Sequence, residues 1–206
     1  MKQRFIVDAH KLLTTFVILL LMALYNQWDN PTAWVYLALH GTYGMLWLMK
    51  SHVFPDKRWE QTISPAYAVG LATSLTLYWL APWILMTQAV RVPSCYIAIC
   101  ISLYTVGIFL HYTSDMQKYT TLRLKPHSLL NDGLWARVRN PNYLGELLIY
   151  LSFGLLTMHW LPIAYLLIVV TVIWIPNMLK KDASLTRYPQ FAAYRQKTKL
   201  FLPFLF

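Results

Sequence analysis

Six apolar runs constrain this chain more than any other feature. They cover residues 12–25, 33–49, 65–90, 93–110, 143–158 and 162–179, and most approach the roughly 20 residues that a helix needs to cross a bilayer. In hydrocarbon every backbone N–H and C=O must be satisfied within its own segment, so runs of this length form helices rather than open strands. Composition points the same way. Of 206 residues 57% are hydrophobic and 13% charged, the mean hydropathy is +0.41, and both values lie far from the soluble average. The expected fold is all-α: a polytopic integral membrane protein of about six transmembrane helices, or four plus a re-entrant pair, forming one membrane domain over 1–206. The polar stretches between the runs are too short for a separate soluble domain.

Charge supplies the topology. The formal net charge of +10 is spread over several short loops rather than clustered with aromatic stacking platforms, which excludes a nucleic-acid surface. Short cytoplasmic loops carry an excess of Lys and Arg. With both termini cytoplasmic, every one of the 18 basic residues except Arg91 falls on that side. No small-residue cleavage pattern follows residues 12–25, so the first run is expected to be a retained helix rather than a signal peptide. Cys95 and Cys100 lie five apart in one apolar run, which suits packing and neither a disulfide framework nor a tetrahedral metal site. No inverted repeat of the transporter kind is present.

The chemistry concentrates between Arg137 and Glu146. Asn140 followed by Pro141 is a helix start, because Asn is a favoured N-cap and Pro fits the first helical position. From there Asn142, Glu146 and Tyr150 share one face. A carboxylate one turn into a membrane helix marks a functional site, unless it merely pairs with Arg139 at the interface. His111, Asp115 and Tyr119 follow the same helical spacing at the end of the fourth run, and Lys118 lies beside them. Arg123, Lys125, His127, Arg137 and Arg139 sit between these two faces. Cationic side chains near a helix N-terminus make an anion site, since free N–H groups and the dipole add to the charge; the positive-inside rule alone could also have put them there. The seven glycines make neither a dinucleotide fingerprint nor a P-loop, and no His, Asp and Glu cluster has metal-ligand spacing. His40 and His159, each alone on an apolar stretch, are expected to be hydrogen-bonded packing residues.

These segments resemble a known family. Ser114-Asp115-Met116-Gln117-Lys118, Asn131-Asp132-Gly133-Leu134-Trp135 and Arg139-Asn140-Pro141-Asn142-Tyr143-Leu144-Gly145-Glu146 are similar to the C-terminal region of the steroid 5α-reductases. So are Lys181-Asp182, Tyr188-Pro189, Tyr194 and Leu202-Pro203-Phe204. The resemblance covers residues 108–206, and the wider superfamily also holds integral-membrane sterol reductases and isoprenylcysteine carboxyl methyltransferases. It implies a helical membrane enzyme with a cofactor cavity open to the cytoplasm: NADPH in the reductases, S-adenosylmethionine in the methyltransferases. Asp115, Lys118, Asn142, Tyr143 and Glu146 match its polar cofactor region, and Lys181 and Asp182 match tail positions that close over the nucleotide. Arg123, Arg137 and Arg139 join this set by their charge. NADPH is strongly anionic, so the basic surround favours the reductase.

Residues 1–107, the expected substrate side, match less well. The steroid 5α-reductases use a glutamate and a tyrosine on N-terminal helices to polarise a substrate ketone, yet no Glu precedes Glu60. Tyr43 is then the candidate proton donor that hydride addition to an enone requires, and a packed membrane tyrosine is its alternative. Glu146 is the second catalytic candidate. The expected activity is an NADPH-dependent reduction of a carbon–carbon double bond in a lipophilic, steroid-like or isoprenoid substrate. The alternative is an S-adenosylmethionine-dependent membrane methyltransferase. The expected partners are membrane lipid and the small substrate, with no metal and no nucleic acid.

Overall fold

The computed structural model describes residues 1–204, and among them every regular element is a helix. In chain order these are α1 (Gln3–Leu24), α2 (Pro31–Val53), α3 (Pro65–Thr76), a 3₁₀ turn (Leu77–Trp79), α4 (Leu80–Thr87), α5 (Ser94–Leu124), a second 3₁₀ turn (Gly133–Ala136), α6 (Pro141–Leu155), α7 (Trp160–Val169), a π turn (Val170–Trp174), α8 (Ile175–Leu185) and α9 (Phe191–Lys197). Residues 205–206 of the basic tail lie outside the described residues.

Among the described residues four stretches are long and apolar enough to cross a membrane: Gln3–Leu24, Pro65–Thr87, Ser94–Leu124 and Trp160–Leu185. Between 22% and 33% of each span is buried inside the protein, and residues such as Leu20, Phe109 and Val172 turn outward more than half exposed. Large apolar faces of this kind belong in lipid. The expected count of six is not met on length and composition, for two physical reasons. α6 has 15 residues, about 22 Å at 1.5 Å per residue, against a hydrocarbon core of about 30 Å. α2 has 23 residues, but His40, Lys50 and its aromatic side chains dilute its apolar content.

Two prolines explain the irregular turns. A proline ring clashes with the carbonyl four residues back and removes one helical N–H. Pro82 follows the 3₁₀ turn at Leu77–Trp79, and Pro176 follows the π turn at Val170–Trp174. The link between the fifth and sixth runs lies earlier than residues 160–162: α6 ends at Leu155 and α7 already begins at Trp160. The imidazole Nδ1 of His159 there accepts from the Leu161 N–H at 3.1 Å, and the His40 ring lies 3.2 Å from the Tyr36 hydroxyl, so both are hydrogen-bonded as expected. Cys100 is buried, whereas Cys95 in the first turn of α5 is exposed rather than packed.

The chain forms two compact units, residues 1–102 with 152–163, and residues 103–151 with 164–206. In the first, α1 and α2 approach so closely that a Cβ on Gly44 would sit 2.9 Å from the Lys11 carbonyl. Asn30 caps α2 by accepting from Thr32 N–H at 3.0 Å while its amide donates to the Val90 carbonyl. Trp79 donates to Thr14 Oγ1 at 2.9 Å and stacks on His10. In the second unit, α5 and α6 cross where neither helix has a side chain. A Cβ on Gly107 would lie 2.7 Å from the Gly145 carbonyl, and one on Gly145 would collide with the backbone N of His111.

Candidate functional site

That glycine crossing positions the chemistry of the second unit. α5 has 31 residues, about 46 Å, which is enough to cross a bilayer and still carry a polar last third. On it His111 and Asp115 are buried and Lys118 lies 3.4 Å from the Asp115 carboxylate. The close approach at Gly145 brings His111 Nδ1 to 3.0 Å from the carbonyl of Asn142. Both Glu146 and Asp115 act electrostatically on the Tyr112 phenol, so the two carboxylates share a neighbourhood that includes Tyr112. Sequence spacing passed over Tyr112, because only a structure shows which side of α5 meets α6.

α6 starts at Pro141, as expected, but Asn140 does not cap it through its side chain, whose Oδ1 meets no backbone N–H. Asn140 is fully buried and its amide donates to the Leu200 carbonyl at 2.8 Å. Arg139 N–H donates to Lys199 O, and Lys199 N–H donates to Arg137 O. The segment leading into the helix is thus stitched to the tail.

Arg139 is the centre of this stitching. Its Nε donates to Asp182 Oδ2 at 2.9 Å, and its Nη1 donates to the Thr198 carbonyl at 2.6 Å, to Thr198 Oγ1 at 3.2 Å and to the Arg195 carbonyl at 3.3 Å. Both charged side chains are under one-tenth exposed. A buried pair of this kind depends on such extra hydrogen bonds to offset its desolvation. Arg139 therefore clamps α8 and α9 together and does not stand on an open rim. Lys181 donates to the Arg139 carbonyl and holds its ammonium 4.7 Å above the Trp135 ring. Trp135 in turn donates to the Ser114 carbonyl at 3.2 Å and accepts at its own carbonyl from Tyr194 Oη at 2.6 Å. Burial raises the Tyr194 phenol above its ordinary value. Gly133 has φ +55, and Gln117 pins its turn by accepting from Leu134 N–H and donating to Asp132.

The other expected residues fall in different places. Tyr143 packs edge-on against Trp174 at 5.4 Å. Arg123 is exposed, stacked on Tyr119 and donating to its hydroxyl at 2.7 Å, and Arg137 is also exposed. Tyr43 belongs to the first unit. It is fully buried there, with Lys11 Nζ 4.1 Å above its ring and the His40, Trp47 and Phe153 rings around it.

In the second unit the buried oxygens Asn140 Oδ1, Asn142 Oδ1 and Asp182 Oδ1 have no hydrogen-bond partner within the protein. All three are acceptors. Unsatisfied buried acceptors are costly, so these three oxygens are candidates for contacts to a ligand that brings donors. Among the described residues no group of His, Cys, Asp and Glu could hold a metal ion.

Residues 17–199 match the family described as Protein of unknown function (DUF1295). No curated protein matches the chain. Matched over most of its length, the chain belongs to the DUF1295 family.

Proposed function

We propose that this chain is a membrane-embedded reductase that uses NADPH to reduce a carbon–carbon double bond of a lipophilic, carbonyl-conjugated substrate. The observation that carries the reading is a convergence. The segments that resemble the steroid 5α-reductases, around residues 114–118, 131–135, 139–146, 181–182 and 194, are far apart in sequence, yet all belong to one unit and are joined there by the hydrogen bonds of Ser114, Gln117, Trp135, Arg139, Lys181 and Tyr194. Asn142, Asn140 and Asp182 would accept from the hydroxyls and carboxamide of the dinucleotide. Lys118, Arg123 and Arg137 would face its phosphates, a role that the buried Arg139 leaves to them. When bound, NADPH supplies the hydride, and the protein's part is to orient the nicotinamide and to keep water out. Glu146, with Asp115 beside Tyr112, is the candidate for holding a proton near the nicotinamide. Tyr43, fully buried in the first unit, takes no part in this reading. The proposed topology has six spans, both termini cytoplasmic and the cofactor site facing the cytoplasm.

A second reading is supported by one observation. The three orphaned acceptors suit a cationic, donor-rich ligand, which describes S-adenosylmethionine and a methyltransferase. Purified full-length protein separates the two by thermal shift with NADPH, NADH and S-adenosylmethionine, since a ligand at 100 times its Kd stabilises by about 2.7 kcal/mol. NADPH is expected to stabilise. Arg123→Glu or Arg137→Glu is expected to weaken NADPH by roughly 10- to 150-fold while sparing NADH, the loss of one charge-assisted contact to the 2′-phosphate. Stabilisation by S-adenosylmethionine with none by NADPH would replace the first reading with the second.

A further inference from the structure

α9 has a second face that the cofactor reading does not use. Phe191 and Tyr194 are buried, as is Thr198 just past its end, and outward it presents Ala192, Arg195 and Gln196. Between this outer face and the preceding turn lies a groove of about 540 Å³, whose walls include Tyr188, Pro189, Phe191, Ala192, Arg195 and Gln196. That volume is in the range of small-molecule sites. Its lining is apolar at Phe191, Pro189 and Ala192 and cationic at Arg195. Arg187, outside the lining, lies 5.0 Å over the ring of Tyr188, which is part of it.

The charge around it is one-sided. Lys180, Arg187, Arg195, Lys197 and Lys199 are exposed, and Asp182, the one acid between residues 180 and 199, is consumed in the buried pair with Arg139. The segment follows directly on a membrane-spanning stretch that ends at Leu185, which places it within a Debye length of the lipid headgroups. The positive-inside rule accounts for the sign of these charges. It does not account for apolar side chains lining the same groove as Arg195, which together match a ligand with an anionic phosphate and adjoining glycerol and acyl carbons.

We propose that this groove is a binding site for an anionic phospholipid, held by its phosphate at Arg195, with Arg187 beside it through Tyr188 and its glycerol end on Pro189 and Ala192. The inference goes beyond the cofactor reading and stands on different residues. The test is native mass spectrometry of the full chain in an uncharged detergent, titrated with phosphatidylglycerol, phosphatidylcholine or inorganic phosphate. Phosphatidylglycerol is expected to bind at least about tenfold tighter than phosphatidylcholine, with no retention of phosphate alone. A basic residue near a headgroup contributes roughly fivefold in affinity, and reversing its charge costs more than that. Arg195→Glu and Arg187→Glu should each remove most of the preference, and Lys57→Glu, an exposed lysine of another loop, should leave it intact. Should Arg195→Glu fail to fold, Arg187→Gln and Arg195→Gln read the same contact. Equal binding of the two lipids, retention of phosphate alone, or an equal loss in Lys57→Glu would overturn the proposal.

Discussion

Arg139 shows how differently one charge reads before and after folding. Its neighbours in sequence, Arg137 and the start of α6, point to an anion site, yet its guanidinium is taken up by Asp182, Thr198 and Arg195. The clamp also exposes a titrating group to test. Tyr194 donates to the Trp135 carbonyl, and burial holds its phenol protonated above the ordinary value of about 10. With the folded pKa above the unfolded one, the contribution of Tyr194 is fully present below about pH 10 and fades as the pH rises through the folded value. Tyr194→Phe leaves the buried Trp135 carbonyl without its donor and is expected to cost about 1–2 kcal/mol near neutral pH. Denaturation of parent and variant in detergent between pH 7 and 11 should show that gap narrowing above pH 10. A gap that stays constant to pH 11 would mean that the hydroxyl does not stabilise the fold in its protonated form.

The decisive elements are α5 and α6, and their glycines decide how near they come. Small residues let membrane helices approach backbone to backbone, and the Gly107 and Gly145 crossing is what sets His111 against Asn142. An added methyl at Gly145 meets main-chain atoms that cannot rotate away. Gly145→Ala is therefore expected to push the helices apart and cost about 1–3 kcal/mol, with the ligand response of the site weakened in proportion. Gly70→Ala, where nothing lies within 4 Å of the added Cβ, is the matched control. Equal melting temperatures for the two variants would show that the crossing tolerates a side chain. Of these features the α6 start was readable, because Pro141 fixes its own backbone; the contact of Asn140 with Leu200 was not, because it joins residues 60 apart. The π turn before Pro176 was not, because a proline marks a break without saying whether the helix tightens or widens around it.

At the scale of the molecule, charge bias argues for six spans while length and composition support four. Cysteine accessibility resolves the difference. With the topology proposed above, single cysteines placed at residues 57, 125 and 197 react with a membrane-impermeant reagent only from the cytoplasmic side, and one at residue 91 only from the opposite side. Labelling at 197 from the side of 91 would remove the six-span arrangement. The sequence by itself determined the helical class and most helix positions, because the demand of hydrocarbon for satisfied backbone and the periodicity of a helix both act over a few neighbouring residues. Tertiary structure alone decided what each polar group does. Arg139 meets Asp182 and Thr198 across separations of 43 and 59 residues, the orphaned acceptors of Asn140, Asn142 and Asp182 emerge only from those pairings, and Tyr43 is enclosed by rings from α2 and residue 153. Whether a buried charge is a clamp or a ligand contact depends on the partner that packing delivers, and no local rule specifies that partner.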